Sequence, residues 1–75
     1  MDKKEFQPAV QRLALYCQSH ELGTPVYKVT HDDGGVVRVM CQVEGLSPAS
    51  AAGFTKEQAT EQVANDIAMY NQLSI

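Results

Sequence analysis

The residues best equipped for chemistry in this chain are Cys17, Cys41, His20 and His31. Two thiols and two imidazoles can form a zinc ligand set, but zinc modules draw their ligands from closely spaced pairs, and these four lack that spacing. Two cysteines are too few for a disulfide framework, and both sit among apolar neighbours. The expectation is a pair of small, buried, reduced thiols. No carboxylate pair, Ser–His–Asp set, Cys–His dyad or glycine-rich phosphate loop is recognisable, so the reading is not an enzyme, with no metal and no cofactor.

A second chemical possibility lies in "FTKEQATEQVANDIAMY", residues 54–70. Thr55 is placed as a helix N-cap, and Gln58 follows three residues later, the spacing of a capping box. A helix N-terminus attracts anions, because its first N–H groups are unpaired and its dipole is positive there. Lys56 suits a phosphate at that end, but Glu57 beside it does not.

Length and charge narrow the classes. The 75 residues make one domain, 1–75, with a core spanning about 6–70. A chain this short buries a modest fraction of its surface and is stable by only a few kcal/mol. The formal net charge is −3, with no run of like charge longer than two, which is not the basic footprint of a dedicated nucleic-acid binder. No apolar stretch approaches a membrane span, and "MDKKEFQP" has no apolar segment behind its basic residues, so the expectation is an intracellular protein, cytoplasmic or nuclear, away from membranes.

The elements that must position these residues follow from periodicity. Pro8 suits the first turn of a helix. Val10, Leu13, Ala14 and Cys17 then form an apolar stripe that Phe6 can extend, and Gly23 and Pro25 stop the helix. Residues 26–30, "VYKVT", read as a strand, and "HDDGG" as a turn. In "VVRVMCQVEG" the alternation is clearest: Val37, Val39, Cys41 and Val43 face the core, while Val36, Arg38, Met40 and Gln42 face out. "LSPASAAGF" fits an edge strand, in which Pro48 would remove a donor. A second helix from Thr55 buries Ala59, Val63, Ile67 and Tyr70, widened by Ala64 and Ala68, and the tail "NQLSI" is expected to fray apart from a contact by Leu73. The order is α-β-β-β-α, an α+β domain with a three-stranded antiparallel sheet and both helices packed on its one apolar face.

Three segments resemble the double-stranded-RNA-binding domain, in order along the chain: "YCQSHELGTPVYKV", "VRVMCQVEG" and "AAGFTKEQATEQVA". The resemblance covers roughly residues 6–70. It implies recognition of A-form RNA by shape, across two minor grooves and the phosphates between them. It also implies contacts from the first helix, from the loop between the first two strands, and from lysines opening the second helix. On that pattern the RNA-facing residues here are Gln11, His31, Thr55 and Lys56. Each surface departs from the pattern. Leu15 stands where the family places a polar or acidic residue, before the aromatic that Tyr16 matches. The loop "THDDGG" keeps His31 without the proline and adds Asp32 and Asp33. Of three lysines only Lys56 remains, the others being Glu57 and Thr60.

Losing two phosphate contacts and gaining one repulsion weakens RNA binding by about 2–4 kcal/mol, a factor of about 30 to 1,000. The reading is therefore a protein-interaction module on this fold, for dimerisation or docking within RNA processing or RNA silencing. Its partner would be another such domain or an RNA-processing enzyme, with double-stranded RNA binding weak or absent. Leu15, Val36 and Met40 are the candidate partner contacts. The alternative is a genuine double-stranded-RNA-binding domain.

Overall fold

The computed structural model describes residues 8–74, so the extension of the first stripe by Phe6 lies outside the described residues. The element order is α1 (Ala9–Ser19), β1 (Val26–Asp33), β2 (Val36–Gln42), β3 (Ala49–Gly53) and α2 (Lys56–Tyr70). The strands form one antiparallel sheet in the order β1-β2-β3, and residues of both helices join one face of it in a single core.

The core follows the alternation of β2. Val37, Val39, Cys41 and Val43 are buried, facing Leu13 and Cys17 of α1 and Ala59, Val63, Ala64 and Ile67 of α2. Each fully buried Leu13, Ile67 or Val63 contributes about 1.5–3 kcal/mol of apolar transfer. Alanines dominate the rest, which lets α2 lie close to the sheet. Gly53 marks the closest approach: a Cβ there would stand 2.9 Å from the Ala59 backbone nitrogen and from Gln58 Cβ.

Two stripe assignments change. In α1 the buried line is Ala9, Leu13 and Cys17, and Ala14 is exposed beside it, because α1 meets the core along a line narrower than a full apolar face. In α2 Tyr70 is 62% exposed. It is the last helical residue, and the core beneath the helix ends at Ala68.

The β1 strand is longer than expected. It continues through His31, Asp32 and Asp33, and only Gly34 and Gly35 turn the chain. Both glycines have positive φ, 51° and 122°, the signature of a tight primed hairpin that side chains resist. Register shifts between Val29 and His31, leaving Thr30 as an extra residue, a β-bulge. Cross-strand partners share a face. Before the bulge Tyr27 and Val29 pair with Cys41 and Val39 on the core face; after it His31 pairs with Arg38 on the outer face. Had Thr30 paired in regular alternation instead of bulging, His31 would have faced the core side.

Pro48 precedes β3, so it removes no donor from the strand. The stop of α1, expected at Gly23 and Pro25, comes earlier, and both helices close alike. Each helix ends on a residue in the left-handed region, Glu21 (φ 59°) and Gln72 (φ 57°), rather than on glycine. Leu22 N–H donates to the Cys17 carbonyl at 2.9 Å, and Leu73 N–H to the Ala68 carbonyl at 2.8 Å, the long bond of a Schellman motif. Leu22 and Leu73 both pack on the core. The segment after α2 is thus tied down as far as Leu73. Asn71 secures it further: its Oδ1 accepts from Ser47 N–H at 2.9 Å and its Nδ2 donates to the Ser47 carbonyl at 3.1 Å.

Candidate nucleic-acid and partner interface

Two helix N-termini meet where phosphate would be sought. At α2, Thr55 Oγ1 accepts from Gln58 N–H at 3.0 Å, the predicted cap. Gln58 Oε1 returns the bond one residue further back than a standard capping box, accepting from Phe54 N–H at 2.9 Å. Thr60 Oγ1 donates to the Lys56 carbonyl at 2.7 Å, so its hydroxyl is also engaged.

At α1, Pro8 supplies no side-chain cap. The cap comes from α2: Glu61 Oε2 accepts from Ala9 N–H, and Glu61 Oε1 accepts from Val10 N–H at 3.3 Å. A carboxylate there complements both the unpaired amides and the positive helix end. It occupies the place an external anion would take. The groove between the two helix starts is lined by Pro8, Val10, Lys56, Glu57, Thr60 and Glu61, so among the described residues one cation stands against two carboxylates. Sequence reasoning missed Glu61, because no local spacing announces a cap delivered from another helix.

The remaining RNA candidates are dispersed. Gln11 is exposed on α1 and shares a face with Leu15, four residues on. His31 lies within β1, with Nε2 3.9 Å from Asp33 Oδ2, rather than at the tip of a reaching loop. The tip consists of Gly34 and Gly35 alone.

The partner candidates fall on two surfaces. Leu15 is 46% exposed on the helix layer. Val36 is exposed and Met40 half-buried on the open face of the sheet, on the other side of the core. The structure does not bring Leu15 together with the other two. It adds exposed apolar residues that the sequence reading left out of the interface: Val26 on β1, Phe54 before α2, and Met69 and Tyr70 at its end. Phe54 lines a cleft with Val36 and Ala52, and Tyr70 lines another with Met40 and Pro48, both along β3.

Cys17 and Cys41 are both free and buried, whereas His20 and His31 are exposed. Among the described residues no three His, Cys, Asp or Glu side chains gather as metal ligands would. Burial pushes the Cys41 thiol up to about 11, the Tyr27 hydroxyl beside it acting in the opposite direction. Burial raises Cys17 as well, and it raises Tyr27 more than the neighbouring Cys41 does. Among the described residues the Tyr27 hydroxyl, buried beside Cys41, meets no partner at hydrogen-bond geometry. These groups are held neutral at ordinary pH, as inert core rather than as nucleophiles. No described helix is long and apolar enough to cross a membrane. Compared with protein-family models and with curated proteins, the chain matches none.

Proposed function

We propose that this chain is a protein-docking module with a double-stranded-RNA-binding-domain-like fold and little grip on RNA. The observation that carries the reading is Glu61: its carboxylate takes the free amides of α1 and sets a negative charge beside Glu57 in the groove where phosphate would lie. Among the described residues Lys56 is the one cation lining that groove, and one cation offers roughly one released counterion, against about three for a full lysine set. The two-residue hairpin supports the same reading, since Gly34 and Gly35 extend no side chain toward a second groove, and Asp32 and Asp33 approach it with negative charge. In place of these lost contacts the surface carries exposed Leu15, Val36, Phe54 and Tyr70, side chains suited to a protein partner. Such a partner belongs to RNA processing or silencing, by the same resemblance.

Titrating a perfect RNA duplex across a salt series tests this. The expected outcome is weak binding at low salt that vanishes at physiological ionic strength, with a slope near about one contact. Tight binding at physiological salt, with a slope near about three, overturns it.

A further inference from the structure

We propose that the open face of the sheet holds an acidic amphipathic helix of a partner protein, with Val36 and Met40 under its apolar anchors and Arg38 and Lys28 against its carboxylates. The inference rests on the docking reading and names the chemistry of the partner.

Register decides which side chains share that face. Lys28 of β1 lies opposite Met40 of β2, His31 opposite Arg38, and Asp33 opposite Val36. Arg38 is also diagonal to Lys28, a separation that long side chains span. The Thr30 bulge, by turning His31 outward, adds an imidazole to these two cations.

The chain carries −3, yet this face runs against that balance. Glu57, Glu61 and Asp66 all belong to α2, in the other layer. Asp32 pairs with Val37, toward the core side. Asp33 is on the open face, at the hairpin end, with Oδ2 3.9 Å from His31 Nε2. That contact is the one ion pair among the described residues, so Lys28 and Arg38 meet no acid there. Charge complementarity therefore puts an anionic partner on the sheet, away from the acidic helix layer.

The apolar residues say what kind of anion. Val36 is 45% exposed and opens onto a cleft with Ala52 and Phe54. Met40 opens onto another with Pro48 and Tyr70. Apolar clefts on either side of a cation suit an amphipathic protein segment. Single-stranded nucleic acid asks instead for rings on which bases stack, and the one Tyr, Phe or Trp in the three strands, Tyr27, faces the core.

Strand and helix dimensions set the pattern of the partner. Three strands make a face about 14 Å wide, room for one helix about 10 Å across. Val36 and Met40 are about 13 Å apart along β2, the rise of about eight helical residues, with Arg38 midway. The matching helix has apolar residues at i and i+8 and a carboxylate at i+4, all on one face.

The test titrates the full chain, by fluorescence anisotropy at low salt, against a synthetic helical peptide with leucine at i and i+8 and glutamate at i+4 and along its flanks. A second peptide has lysine for every glutamate. The expected result is binding of the acidic peptide alone, with amide shifts at Lys28, Arg38 and Met40. Arg38→Glu, at an exposed position, weakens that binding at least about tenfold with unchanged circular dichroism and gains binding to the lysine peptide. Binding of neither peptide, equal binding of both, indifference to Arg38→Glu, or shifts confined to the helix layer overturns the proposal. So does a uridine homopolymer that shifts the same amides more strongly than the acidic peptide. If Arg38→Glu unfolds, Lys28→Glu decides. The RNA duplex titration separates this failure from that of the docking reading: a chain that ignores both the peptide and the duplex loses only the sheet face as the site, and one that grips the duplex at physiological salt loses both.

Discussion

The Glu61 carboxylate of α2 accepts hydrogen bonds from the backbone N–H groups of Ala9 and Val10, 52 and 51 residues away in sequence. One side chain thereby joins the two helices and closes the end of α1 that Pro8 leaves open.

Removing that cap should cost stability. Glu61→Ala is expected to lower unfolding free energy by about 1 kcal/mol, in the range of other lost N-caps, and Glu61→Gln by less, since an amide oxygen still accepts one bond. Urea denaturation measures both. Equal stability of Glu61→Ala and the parent would mean that solvent caps α1 equally well.

Restoring basic charge at the same groove should restore RNA binding. Glu57→Lys with Thr60→Lys is expected to raise affinity for duplex RNA at least tenfold at low salt and to steepen the salt dependence by about two contacts. Adding Glu61→Ala should strengthen it further by freeing the α1 amides. Filter binding across a salt series reads both effects. No gain would place the limit in the short hairpin and Leu15 instead of in charge.

Asn71 holds the loop before β3. Its side chain bonds both backbone groups of Ser47 and also donates to the Ile67 carbonyl at 2.9 Å. Asn71→Ala should therefore destabilise the domain by about 1–2 kcal/mol and accelerate exchange of the Ser47 amide while leaving the β1–β2 ladder protected. Uniform loss of protection would show that the clamp acts on the whole fold.

The buried thiols predict an alkaline limit. Cys41 ionises near 9 in the unfolded chain and near 11 in the folded one. Its contribution to stability is complete below about pH 9, and it is lost as the pH rises toward 11, because above 9 the unfolded state sheds the proton first. Thermal melts from pH 7 to 11 should hold level and then fall. Cys41→Ala should flatten the decline. At neutral pH both thiols should resist disulfide reagents until the domain unfolds. Rapid labelling of the native protein would contradict their burial.

Much of the architecture was legible because its causes are local. The alternation from Val36 to Val43 assigns β2 and its buried face without reference to any other element. Thr55 and Gln58 announce the start of α2 from three residues' spacing. Elsewhere local rules pointed the wrong way. His31 and both aspartates read as turn residues, yet Gly34 and Gly35 suffice to reverse the chain, and the strand runs on to meet them. Glu21 and Gln72 are poor choices for left-handed backbone, and each is held there by the leucine after it packing on the core. Tyr70 fits the period of its helix but outlasts the core that would cover it.

The amino-acid order alone thus determined the element sequence, the apolar face of β2, the cap of α2 and the shortage of positive charge, because periodicity, capping and charge are carried by residues within a few positions of one another. Tertiary structure alone decided that Glu61 would close α1, that Asn71 would hold Ser47, that the Thr30 bulge would turn His31 outward, and that Phe54 and Tyr70 would flank a bare edge strand. Those relationships depend on which surfaces meet once the chain is packed, and residues tens of positions apart carry no local signal of where they will meet.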